Sequence, residues 1–147
     1  VAAIPPFYDT KPRSGIDAYF NQTGALAAVI GASVEFGAGL FVLPAANVGV
    51  IAYLTIFVDA PNTTINVIWT LLLNGAPIPG WDRITTFPRV ANNLSIVYPA
   101  TIQIPQGATI TARVTNQAAT GPWTVGAEVG GWHWPLIDEI QTFGKAT

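Results

Sequence analysis

Five tryptophans and one histidine are the side chains of this sequence best suited to gripping a ligand, and three of them stand together in GGWHWPLIDEI, residues 130 to 140. A hydrolytic triad needs a nucleophile, a base and an orienting acid. His133 is the sole imidazole, and no G-x-S-x-G elbow precedes it. Neither an H-E-x-x-H pair nor a phosphate-cradling glycine loop occurs. Glycoside hydrolysis needs two carboxylates, and Glu35, Asp59, Asp82 and Glu128 are candidates. Eight acids in any fold will bring some pair together, so their presence points to no reaction. DAPNT, from Asp59 to Thr63, has too few oxygen ligands for calcium and reads as an Asp/Asn-stabilised turn. The absence of cysteine excludes disulfides and cysteine-ligated zinc. The expectation is a protein without catalytic residues, metal or cofactor.

The remaining chemistry is contact. Trp132 and Trp134 can anchor a protein interface, where tryptophan is enriched among energetic hot spots, or stack on a sugar. Asp82, Arg83 and Arg89 beside Trp81 form the one local cluster of charge and read as a solvated loop. Asn21, Asn62 and Asn93 open N-x-S/T sequons, which chance explains in a chain rich in Asn and Thr.

Composition favours protein contact. Charged residues make up 10% of the 147, and hydrophobic ones 50%. An ordinary globular chain carries about 25% charge. The surface must therefore be Thr, Asn, Gln, Gly and Ala, or be covered by partners. The net charge is −2 and the six basic residues are scattered, which argues against nucleic acid. The run between Glu35 and Asp59 is uncharged and long enough to cross a bilayer, but Pro44, Asn47 and three glycines interrupt it. It is read as buried sheet, with no membrane partner. Val1 in place of Met suggests a removed initiator or leader.

From Ser33 onward the elements that must position these residues have a period of two. In TINVIWTLLLNG, Ile65, Val67, Trp69, Leu71 and Leu73 share one face. Asn74-Gly75 ends the run with a pair suited to positive φ. ATITARVT turns Ala108, Ile110, Ala112 and Val114 inward, and WTVGAEV does the same with Trp123, Val125, Ala127 and Val129. VGVIAYLTIFV is apolar on nearly both faces, as in a covered central strand. Roughly eight strands between turn signals predict an all-β protein. The architecture expected is a two-sheet antiparallel sandwich of jelly-roll type over 33–135, with an immunoglobulin-like sandwich second. Residues 1–32 form an extended N-terminal arm, with Pro5, Pro6 and Pro12 holding its first half extended and Ile4, Phe7 and Tyr8 seeking burial. Residues 136–147 form a C-terminal tail, with Leu136, Ile140 and Phe143 at helical spacing, either closing its own domain or docking on another subunit.

Parity leaves the tryptophans with two positions. An unbroken strand from Trp123 turns His133 inward and Trp132 and Trp134 outward. A bulge at Gly130-Gly131 reverses all three.

The segments FVDAPNTTINVIWTLLLNGAPIPG, IQIPQGATITARVTN and GPWTVGAEVGGWHWP resemble, across roughly 33 to 135, the jelly-roll accessory proteins of tailed-bacteriophage virions, that is, cement, decoration or head-fibre components. The resemblance assigns a role to no single residue. It implies a non-enzymatic virion protein, assembled in the host cytoplasm, that forms homo-oligomers, often trimers, and binds the major capsid protein or other virion proteins. The interface residues expected are Ile4, Phe7, Tyr8, Trp132, Trp134, Leu136, Ile140 and Phe143. The alternative is a carbohydrate-binding module or host-receptor tip, with a glycan against exposed tryptophans.

Overall fold

The computed structural model describes residues 11, 13, 15–59, 67–84 and 96–137. Among the described residues eight strands follow one another: β1 (Ile16–Leu26), β2 (Ser33–Val42), β3 (Asn47–Asp59), β4 (Val67–Leu73), β5 (Ala76–Pro77), β6 (Ile96–Ile104), β7 (Thr109–Asn116) and β8 (Trp123–Pro135). They form two four-stranded antiparallel sheets, ordered β1-β8-β3-β6 and β2-β7-β4-β5. Strand 1 pairs with 8, 2 with 7, 3 with 6 and 4 with 5, which is a long hairpin rolled into two layers. This is the jelly roll expected from the spacing of the runs.

Alternation builds the core between the layers. Val67, Trp69 and Leu71 of β4, Ile110, Ala112 and Val114 of β7, and Val125, Ala127 and Val129 of β8 are all buried there. Phe36 stacks on Trp69 with ring centroids 6.1 Å apart. Asn74 and Gly75 both take positive φ, 51° and 82°, and close β4 onto β5 as a hairpin turn. The uncharged run from 36 to 58 lies in β2, β3 and their connection. No helix among the described residues is long and apolar enough to cross a membrane.

The sandwich starts earlier than the alternation suggested. Residues 16–26, assigned to the arm, pair along their whole length with β8. Ala18, Phe20 and Leu26 face the core, but Gln22 and Gly24 share their parity and hide the pattern. Gln22 points inward because its Oε1 accepts the Gly37 N–H at 2.7 Å. Gly37 opens a bulge in β2, where Phe36 pairs with Ala112 and Phe41 with Ile110, so residues 37–40 stand against Thr111 alone. Buried Asn116 ties the other end together. Its side chain donates to the carbonyls of Ala27 and Thr120 and accepts from the Ala118 N–H.

Candidate functional site

The two tryptophans lie at the C-terminal end of β8, and the register settles which way they point. β8 pairs with β1 without interruption from Trp123 to His133. The irregularity falls on the neighbouring strand instead. Ile51 of β3 pairs with Gly131 and Tyr53 with Gly130, leaving Ala52 as the extra residue. β8 therefore keeps its parity, and Trp132 and Trp134 stand on the outer face of the β1-β8-β3-β6 sheet. The bulge reverses β3 instead. Leu54, Ile56 and Val58 face the main core, whereas Val48 and Val50 face outward beside Trp134 and Trp132.

Pointing outward does not mean exposure here. Val48, Val50 and Trp134 form a second small core, with Trp132 and Leu136 packed against it. Trp134 is 2% exposed. Sequence parity offered core or surface, and the molecule uses an outer apolar cluster instead. Trp134 is thus packed into the fold of the single chain. Leu136 packs on the same cluster and donates its backbone N–H to the Ala46 carbonyl at 2.8 Å. Trp132 is half-buried and keeps one side open. Ile4, Phe7, Tyr8, Ile140 and Phe143 lie outside the described residues.

His133, on the inward parity, is buried at the end of the sandwich, with the Asn47 side-chain amide 3.0 Å from its Nδ1. Burial lowers its pKa below the ordinary 6.5. The imidazole thus belongs to the packing of the β3 and β8 ends.

The open part of this face is a cleft of about 250 Å³ whose floor is Gly130 and Gly131. Tyr19 of β1, Tyr53 of β3 and Trp132 of β8 wall it, with Asp17 at the rim. Gly130 is glycine because the Tyr53 ring lies over it. A Cβ there would sit 2.4 Å from that ring. Phe57 covers Gly126 in the same way one step along the sheet. An aromatic ring on one strand thus shields a glycine on the next, and the face acquires relief. The Tyr53 hydroxyl donates to Glu128 Oε1 at 3.2 Å. Burial, and then the Glu128 carboxylate, raise its pKa above the ordinary 10.0. Asp17 pairs with Lys11 at 2.9 Å, both well exposed. Tyr19 is 63% exposed.

The sequence reading missed Asp17, Tyr19 and Tyr53. The signal was the outward set Asp17, Tyr19, Asn21 and Thr23, masked by the inward Gln22 and Gly24. The other singled-out groups disperse. Glu35 pairs with Arg113 on the opposite sheet, and Asp82 and Arg83 lie exposed after β5. Asp59 and Glu128 share a face, but Glu128 lies opposite Thr55, roughly 13 Å along the strand from Asp59. Trp81 is half-buried against the main core.

No family model matches this chain, and no curated protein does. Among solved structures it is similar to a chain of the cyanophage Pam1 capsid asymmetric unit. The TM-score is 0.52 at 13% identity, over 82% of this chain and 85% of that one. That likeness is one of fold. A chain of infectious bursal disease virus, Gx strain, matches at a TM-score of 0.25 and 12% identity, over 91% of this chain and 44% of that one, too low to carry an argument.

Proposed function

We propose that this chain is a non-enzymatic structural protein of a virion: a jelly roll that self-associates, as a trimer, and cements the capsid shell by binding the major capsid protein. The observation that carries the reading is the aromatic outer face. Tyr19, Tyr53 and Trp132 stand where a solvated sheet would carry charge or threonine. Burying that face against neighbours answers the 10% charge content, at about 25 cal/mol for each Å² of apolar area covered. The shared fold with a chain of the Pam1 capsid supports a place in a virion. Ile4, Phe7 and Tyr8 of the N-terminal segment, with Ile140 and Phe143 of the tail, are the other contacts proposed.

Light scattering on a size-exclusion column at two concentrations tests self-association. A closed oligomer at both is the expected result, and a clean monomer at both counts against it. Co-sedimentation with capsid shells tests cementing, since bound protein should raise the temperature at which the shells open. The cleft also favours a second reading, a glycan stacked on Tyr19 and Trp132. A glycan array with hits lost in Tyr19→Ala would support it over the first.

A further inference from the structure

The cleft has the form that receives a polyproline segment. Proline-rich segments dock in grooves lined by aromatic rings, because their extended helix is already ordered before binding. Here three aromatic walls enclose a glycine floor, and a carboxylate, Asp17, marks the rim. One segment of this chain has the matching chemistry: Ile4-Pro5-Pro6-Phe7-Tyr8, followed by the basic Lys11 and Arg13. The Lys11–Asp17 pair, 2.9 Å apart, shows that the rim accepts a basic side chain from this stretch. Tyr19 is 63% exposed at the cleft, and the self-association proposed above makes a second copy the source of the segment. A seven-residue step, the sequence distance from Ile4 to Lys11, spans roughly 22 Å when it is polyproline helix.

We propose that the Tyr19–Tyr53–Trp132 cleft seats residues 4–8 of a second copy of this chain, so that copies are joined by exchanged arms. This rests on the reading of the chain as self-associating, and it names the site through which it associates. Each copy offers one arm and one cleft. Such a head-to-tail contact closes into a ring when the rotation permits, as a trimer requires.

The cysteine-free chain makes the test direct. Full-length Phe7→Cys and Asn21→Cys variants, one carrying a size tag, are mixed and mildly oxidised. Asn21 is exposed, on the same face as Tyr19 and two residues along β1. The expected product is a mixed disulfide dimer, formed about tenfold more than with Ser33→Cys, on the opposite sheet, in place of Asn21→Cys. Tyr19→Ala, which removes an exposed wall and leaves the core intact, should lower the yield by a similar factor. Light scattering on the same samples separates the two levels. Oligomers without the mixed dimer would overturn the cleft as the arm's seat and leave self-association standing. Monomers throughout would overturn both. Cross-linking confined to a Phe7→Cys/Asn21→Cys double variant would place the arm on its own cleft and overturn the exchange. So would a glycan that binds in a Tyr19-dependent way without any mixed dimer.

Discussion

The two outer faces of this sandwich are built from different materials. On the β2-β7-β4-β5 sheet, Glu35, Thr70, Thr109, Arg113 and Thr115 point outward, with Val42, Ile68 and the buried Leu72 as apolar exceptions and Leu40 exposed in the β2 bulge. Arg113 donates to Glu35 through both Nη2 and Nε, and Thr70 donates to the Asp82 carbonyl. Threonine suits a strand because its branched Cβ packs on the pleat while its hydroxyl keeps water satisfied. On the β1-β8-β3-β6 sheet, Tyr19, Tyr53, Phe57 and Trp132 stand beside Gly126 and Gly130. Large and absent side chains alternate between neighbouring strands of this second face, which gives it a cleft. One fold, with one alternation rule, thus yields one face led by threonine and an ion pair and one with aromatic relief.

The difference should be easiest to break at the outer cluster. Trp134→Ala empties the centre of the Val48–Val50–Trp134 group. A buried Trp→Ala change costs about 3–5 kcal/mol, so chemical denaturation should show a midpoint far below that of the parent. A loss under 1 kcal/mol would mean that this cluster does not act as a second core.

Gly130→Ala should cost less, about 1–2 kcal/mol, because the atom its Cβ would strike belongs to the Tyr53 side chain, which can swing away. The same swing should break the hydrogen bond to Glu128. Tyr53→Phe, which deletes that bond and keeps the ring, should cost about 1 kcal/mol. If Tyr53→Phe proved the more damaging of the two, the ring-over-glycine packing would not be what shapes the cleft.

Titration separates the cleft from the strand end beneath the second core. Tyr53 has a raised pKa in the fold. Its contribution is fully present below about pH 10 and is lost as pH rises through the folded value. His133 has a lowered pKa. Its contribution is present above about pH 6.5 and is lost as pH falls through the folded value. Tyr53→Phe should therefore flatten the alkaline limb of the stability profile and leave the acid limb unchanged, while His133→Gln should act on the acid limb alone. A variant that moved both limbs would show that the two ends are coupled.

The sequence disclosed the fold wherever a strand keeps one face uniformly apolar. β4, β7 and β8 follow their alternation, and the Asn74-Gly75 turn adopts the positive φ values its residues suit. β1 was unreadable because its inward face includes Gln22, held there by a backbone N–H of another strand. No local pattern can announce a partner fifteen residues away. The cleft was hidden for a similar reason. Gly130 becomes a floor only because a bulge at Ala52 sets Tyr53 opposite it. Attention to GGWHWP found the right end of β8, but the choice between core and surface had no place for an apolar cluster on the outer side of a sheet.

The smallest effect expected is on the face led by threonine, and its smallness is informative. Arg113 and Glu35 are directly opposed across β2 and β7, with side chains about two-fifths exposed. In that setting the attraction is screened, and fixing two flexible side chains offsets part of it, leaving about 0.2–1 kcal/mol. The coupling energy from a double-mutant cycle of Glu35→Ala and Arg113→Ala should fall in that range and shrink further between 0.05 and 0.5 M salt, by about half or more. Self-association measured in parallel should be unchanged by either substitution, because the two charges on this face already pair with each other. Loss of oligomers in Arg113→Ala would reverse the comparison, making the polar sheet the joining surface and leaving the aromatic cleft to another ligand.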